Sequence, residues 1–335
     1  MIPQTTTVKT KQNWQHSLAN AINSADQLLA LLGLSGQLSA IDKEKIRQFP
    51  VRVPHSYIKK MRYGDVTDPL LRQVFPLIDE SYEVAGYHSD PVGDHLAVKS
   101  PGILQKYQGR ALLLMTGACA IHCRYCFRRH FPYSESNPLA RQWQQSLDVL
   151  KADTSITEVI LSGGDPLSLN DEKLSRAIAD LNNIPHLKRL RIHTRLPVVL
   201  PERITDSLLA CLENTHLKVV MVIHANHANE IDDEAAQVLN ALRQSGVQLL
   251  NQTVLLKGIN DTVDILTDLS ERLNEVDVQP YYLHLLDKVA GAHHFDVEEK
   301  LAVNLIEKLR KQLPGYLVPR LVRELQGEAS KTVIS

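Results

Sequence analysis

Cys119, Cys123 and Cys126 fall within the eight residues "CAIHCRYC", in C-x₃-C-x₂-C spacing, and the fourth cysteine, Cys211, is far away in sequence. Three thiolates in one loop suit a cubane iron–sulfur cluster. Each of three irons takes one thiolate, and the fourth iron is left open to an outside ligand. The competing chemistry is a tetrahedral zinc site completed by His122 or His130. Zinc modules usually draw paired ligands from two separated knuckles, and no second pair exists here. Grouping three of four cysteines in a chain of 335 residues argues against a disulfide framework and for a reducing, cytoplasmic setting.

Such a loop needs rigid elements to carry it. From residue 110 onward, apolar runs of strand length recur: "RALLLMT", "TEVILSG", "LKRLRIHT", "LKVVMVIH", "VQLLNQTVLL" and "VQPYYLHLL". Amphipathic helical patterns such as "DEKLSRAIADLNN" and "DDEAAQVLNALRQSG" lie between them. This alternation predicts successive βα units around a parallel sheet buried on both faces. Six units at this spacing predict an α/β fold, either a partial (β/α)₆ TIM-like barrel or a doubly wound sheet. The runs end in polar stretches, "TGACAIHC", "SGGDP", "HTRLP", "HANHANE", "NQ" and "LD", where the loops of such folds converge on ligands. Residues 1–95 read as a mainly helical and irregular segment, with Ser24 a helix-cap candidate, 96–315 as the barrel and 316–335 as a C-terminal segment.

Composition narrows the partners. Net charge is −1, with 44% hydrophobic and 22% charged residues, and no block of like charge selects nucleic acid or an anionic membrane. No stretch reaches about 18 apolar residues, and the first residues carry no signal pattern. Small-molecule chemistry is the expectation.

The cysteine spacing, with Tyr125 before the last cysteine and the loop following the first barrel strand, resembles the radical S-adenosylmethionine (SAM) enzymes. The longer string "CAIHCRYCFRRHF" resembles the lysine 2,3-aminomutases. The likeness runs over roughly residues 95 to 331, through "KYQGRALLLMTG", "SGGDPL", "HTRLP", "HANHANE", "LLNQTVLLKGIND", "PYYLHLLD" and "GEASKT". Within that family the chain most resembles the short bacterial members that make (R)-β-lysine for attachment to translation elongation factor P.

The resemblance implies a [4Fe-4S] cluster on Cys119, Cys123 and Cys126, with SAM as ligand to the open iron. SAM would meet Tyr125, the segment Ser162, Gly163, Gly164 and Asp165, and His224. It also implies pyridoxal 5′-phosphate (PLP) in Schiff-base linkage to Lys331, a residue whose position alone would place it in a solvated tail. Lys106, Tyr107, Arg110 and Gln252 map around the PLP. Lys106 stands where the family commonly has arginine, so a bidentate fork on the phosphate is replaced by a point charge. Arg128 maps to the clamp for the substrate carboxylate, and Asp287 and Glu324 map to the pair that receives the ε-ammonium. Glu324 replaces the aspartate of better-known relatives.

The implied reaction converts L-lysine to (R)-β-lysine by hydrogen abstraction from C3 and a 1,2-shift of the amino group. An external electron donor of flavodoxin or ferredoxin type would serve it. A functional link to elongation factor P and its β-lysine ligase would follow. Thr262 stands where larger relatives have a zinc-binding cysteine, and their C-terminal extension is missing, so no structural zinc is expected. Three rival readings differ in class: an aminomutase for another amino acid, a radical SAM enzyme without PLP, and a zinc-stabilised protein that is not an enzyme. Glutamate as substrate would call for a cation or amide in place of Asp287 and Glu324.

Overall fold

A computed structural model describes residues 13–39, 43–133 and 142–335. Each apolar run becomes a strand: β3 (Arg110–Thr116), β4 (Glu158–Gly163), β5 (Arg189–Thr194), β6 (Lys218–Ile223), β7 (Gln248–Val254) and β8 (Gln279–His284). A hairpin of β1 (Val98–Ser100) and β2 (Ile103–Leu104) precedes them, β2 pairing antiparallel with β3. Strands β3 to β8 pair in sequence order and all in parallel. Every position of β4 is buried, as a strand must be when helices cover its outer face and side chains fill the barrel.

The crossover helices turn an apolar stripe to the sheet. Asp171–Asn182 buries Leu174, Ala177, Ile178 and Leu181, and Asn170 caps it by accepting from the Lys173 N–H at 2.9 Å. Thr262 caps Val263–Glu275 in the same manner, accepting from the Ile265 N–H at 3.4 Å. Six βα units therefore surround a partial barrel. The last residues extend it. Arg320–Arg323 forms β9, parallel to β8, and Thr332–Val333 forms β10, antiparallel to β9. Strands β1 and β10 are the two edges of the sheet, so the barrel is not closed.

Upstream, short helices begin with Trp14–Ala19 and with Ala25–Leu31, which Ser24 caps through the Gln27 N–H at 3.3 Å. Trp14, Leu28, Leu70 and Phe75 of this segment join the same apolar core as the barrel helices. Ser56 and Lys60 bond the carbonyls of Val199 and Val198 beyond β5, each at 2.8 Å, which seats the segment over the C-terminal ends of the strands. Among the described residues no helix is long and apolar enough to cross a membrane.

Candidate active site

The cysteine loop leaves the end of β3 and is fastened from two sides. From the N-terminal segment, Glu80 accepts from Arg124 Nε at 2.7 Å and Nη2 at 2.6 Å, and from Arg129 Nη2 at 2.7 Å. Arg124 and Glu80 are fully buried, the Arg124 Nη1 donates to the Phe49 carbonyl, and the Phe49 ring lies 4.7 Å from both guanidinium groups. One carboxylate is thus shared by two interior cations. From β4, the Gly164 N–H donates to the Thr116 carbonyl (2.7 Å) and the Asp165 N–H to the Ala118 carbonyl (2.8 Å).

A Cβ on Gly163 would stand 2.4 Å from the Thr116 oxygen, and one on Gly164 would stand 2.4 Å from the Ala118 oxygen. The glycine pair therefore lets the β4 loop lie against the backbone of the cysteine loop. This close approach is internal to the protein, in the segment for which the resemblance implies a contact with SAM. Asp165 is likewise a brace. It accepts from the Leu167 N–H (3.0 Å), the Arg195 N–H (2.7 Å) and Thr194 Oγ1 (2.8 Å), tying the β4 loop to the β5 loop. An acceptor for an incoming ammonium is thus already engaged, and burial raises its carboxyl.

Every residue expected at the site lines one cavity of about 660 Å³ running through the barrel. At one end are the three free thiols. Burial first, then their mutual proximity, pushes the Cys119 thiol up and the Cys126 thiol up to about 11, so a bound metal would be needed to hold them as thiolates. Arg195 Nη1 donates to Cys123 Sγ at 2.7 Å. Its Nη2 reaches Glu230, Gln73 and the Tyr57 hydroxyl. The zinc reading fits poorly. His122 Nδ1 is engaged with the Pro50 carbonyl at 2.8 Å, and His130 Nε2 lies 3.3 Å from the Ala290 carbonyl. Among the described residues no three His, Cys, Asp or Glu side chains are arranged to hold a single metal ion. A cubane does not require that convergence, because each thiolate takes its own iron, and the donor set fits one.

Tyr125 and His224 stack at 16° with ring centroids 5.7 Å apart, and the Tyr125 oxygen lies 3.0 Å from His224 Nε2. Burial first, then Arg195, lowers His224 to about 3, so the imidazole is neutral. Ser162 Oγ accepts from Arg128 Nη1 at 3.1 Å.

The other end of the cavity holds the charged groups. Lys331, immediately before β10, pairs through Nζ with Glu324, and Tyr107 donates to the same carboxylate at 2.7 Å. Burial, the largest single influence, raises the Glu324 carboxyl, but Lys331, Tyr107 and Lys106 together outweigh it and lower it. Asp287 is pushed up to about 6, by burial first. Arg110 stacks on the Tyr107 ring at 4.9 Å, and Gln252 lines the wall from β7. An amine, a phenol and a guanidinium in one pocket fit PLP. Lys106 does not lie free for a phosphate: its Nζ donates to the Val92 carbonyl (2.8 Å), forms an ion pair with Asp94 (2.7 Å) and lies 3.5 Å from Glu324.

Sequence reasoning missed Asp94, Gln73, Glu80, Arg195 and Glu230, all buried. Arg195 and Glu230 stand inside the polar stretches "HTRLP" and "HANHANE", and that position was the available signal. Asp94, Gln73 and Glu80 lie in stretches without periodicity and carried none.

An open parallel barrel with a C-x₃-C-x₂-C loop beyond its first parallel strand defines a radical SAM protein, and the radical SAM superfamily model matches residues 113–269. The chain is 45% identical over 323 residues to the L-lysine 2,3-aminomutase of Escherichia coli (strain K12), covering 96% of this chain and 94% of the relative. It is 46% identical over 333 residues to that of Haemophilus influenzae, covering 99% and 98%, and 33% identical over 324 residues to that of Clostridium subterminale, covering 96% and 77%. The chain belongs to the lysine 2,3-aminomutase family.

Proposed function

We propose that the chain isomerises L-lysine to β-lysine in this cavity, moving the amino group from C2 to C3 and a hydrogen from C3 to C2. One observation carries the reading: a single cavity is lined by three thiols, a buried guanidinium, two carboxylates and Lys331. A substrate with a carboxylate at one end and an ammonium at the other finds a partner for each among these groups. When bound, the cluster with SAM supplies a hydrogen-abstracting radical, and PLP supplies a π-system for the nitrogen shift.

The remaining roles fall to side chains. Arg128 offers its unused N–H groups to the α-carboxylate. Asp287 and Glu324 receive the ε-ammonium, Asp287 being ionised at neutral pH although burial raises it to about 6. Lys331 holds PLP, and Glu324 keeps the Lys331 amine in place when it is released. Tyr125 and His224 wall the SAM side, and the N-terminal segment excludes water from the strand ends.

The product is (R)-β-lysine, serving a ligase that modifies elongation factor P, and a flavodoxin- or ferredoxin-type protein supplies the electron in the cytoplasm. The resemblance to the short bacterial family members supports these finer points. Anaerobic assay with SAM, PLP and a reductant on lysine, arginine and glutamate, with chiral analysis of products, tests the reading. Turnover of lysine to the (R) product is expected, and turnover of glutamate alone overturns it. Lys331→Ala is expected to lose the visible absorbance of bound PLP.

A further inference from the structure

Five charged side chains form one alternating chain between the substrate clamp and the PLP lysine. Arg128 Nε donates to Asp94 Oδ2 at 2.6 Å, and Lys106 Nζ stands 2.7 Å from Asp94 Oδ1 as an ion pair. Lys106 also stands 3.5 Å from Glu324 Oε1, whose other oxygen holds Lys331. The signs run plus, minus, plus, minus, plus. Asp94 is 1% exposed and opens a single 3₁₀ turn, Asp94–Ala97. Its own N–H donates to Asp90 Oδ1 at 2.9 Å, and the residue before it is Gly93 at φ +67°. A backbone this constrained fixes the carboxylate in direction as well as place.

The consequence for Arg128 is geometric. Asp94 takes Nε and Ser162 takes one N–H of Nη1, and those two bonds set the plane of the guanidinium. The edge formed by Nη1 and Nη2 is left for a carboxylate, the bidentate geometry such recognition favours. The consequence for Lys106 is electrostatic. Its three N–H groups face Val92, Asp94 and Glu324, so it links two carboxylates. Arg110 makes no ion pair among the described residues and remains a cation open to a phosphate.

We propose that Asp94 is a positioning residue: it aims Arg128 at the substrate carboxylate and, through Lys106, holds Glu324 against Lys331. The proposal rests on the site roles given under Proposed function. Because Asp94 acts at both ends, its loss raises the lysine KM and weakens PLP binding together, while the cluster loop, tied down by other contacts, keeps its iron.

The test uses Asp94→Asn, Asp94→Glu and Lys106→Gln in the full chain. PLP affinity is read by absorbance in the unreduced protein, lysine KM and kcat by anaerobic assay at saturating PLP, and iron and sulfide by analysis. For Asp94→Asn we expect a lysine KM at least tenfold higher, kcat within about threefold, several-fold weaker PLP binding and unchanged iron. Asp94→Glu recovers part of the KM, and Lys106→Gln raises lysine KM as well as PLP dissociation. An unchanged KM in Asp94→Asn, or iron lost in step with activity, overturns the proposal. If Asp94→Asn does not fold, Lys106→Gln decides: weaker PLP binding with an unaltered lysine KM refutes the coupling. A wild-type chain inert toward lysine sinks the aminomutase reading instead, and PLP affinity in Asp94→Asn, which needs no turnover, still decides the inference.

Discussion

The two ends of the cavity are built by opposite means. At the cysteine end, position is set mainly by backbone, with glycines against carbonyl oxygens and loop amides on loop carbonyls, and the ion-pair cluster of Glu80 with Arg124 and Arg129 is almost wholly buried. At the lysine end, position is set by long side chains meeting through charge, drawn from residues as distant as Asp94 and Lys331, with Lys106 and Lys331 only partly buried. Backbone contacts hold a rigid inorganic group without slack. Side-chain ion pairs can exchange partners, which suits the proposed release and recapture of the Lys331 amine.

The difference can be broken most severely at Glu80. Glu80→Gln leaves Arg124 and Arg129 buried with a counter-charge too few, and removal of one partner from a buried ion pair costs about 3–5 kcal/mol. Denaturant melts are expected to show that loss, with iron content falling. The next largest effect is expected at Gly164. Its alanine variant forces the Ala118 carbonyl to move, an overpacking cost of about 1–3 kcal/mol, and iron retention is expected to fall further than PLP binding.

The lysine end answers to pH. The Asp287 carboxyl sits near 6, above the ordinary carboxylate range, so the ionised form proposed to receive the ε-ammonium is complete well above pH 6 and is lost as pH falls through it. Lysine KM is expected to rise about tenfold per pH unit below 6, and Asp287→Asn to have a high KM without that limb. The stability effect has the opposite sign. A raised carboxyl favours the fold below the ordinary range, and the contribution disappears as pH rises through about 6. The smallest effect is expected at the Arg176–Glu172 pair, both largely exposed on one helix face. Arg176→Ala is expected to stay within about 0.5 kcal/mol and to leave iron, PLP and KM unchanged.

Most of the architecture was legible because it repeats. Six apolar runs separated by amphipathic helices carry a periodicity that only a parallel α/β layering satisfies, and the strands appear where those runs lie. The cysteine loop was legible because its ligands are close in sequence, and spacing alone restricts their chemistry. Lys331 was not legible from its own surroundings. It enters the site because β9 joins β8 in parallel and β10 folds back on β9, pairings between residues far apart in the chain.

The amino-acid sequence by itself determined the spacing of the three cysteines, the order of βα units and, by resemblance, the two cofactors and the substrate class, because each is written in local spacing or in strings matched to relatives. Only the tertiary structure decided why Gly163 and Gly164 must be glycine, that Asp165 braces two loops, and that Lys106 joins Asp94 to Glu324. Those facts depend on which carbonyl or carboxylate arrives from elsewhere in the chain. A side chain's neighbours are set by the closing of the sheet, and its own sequence position does not encode them.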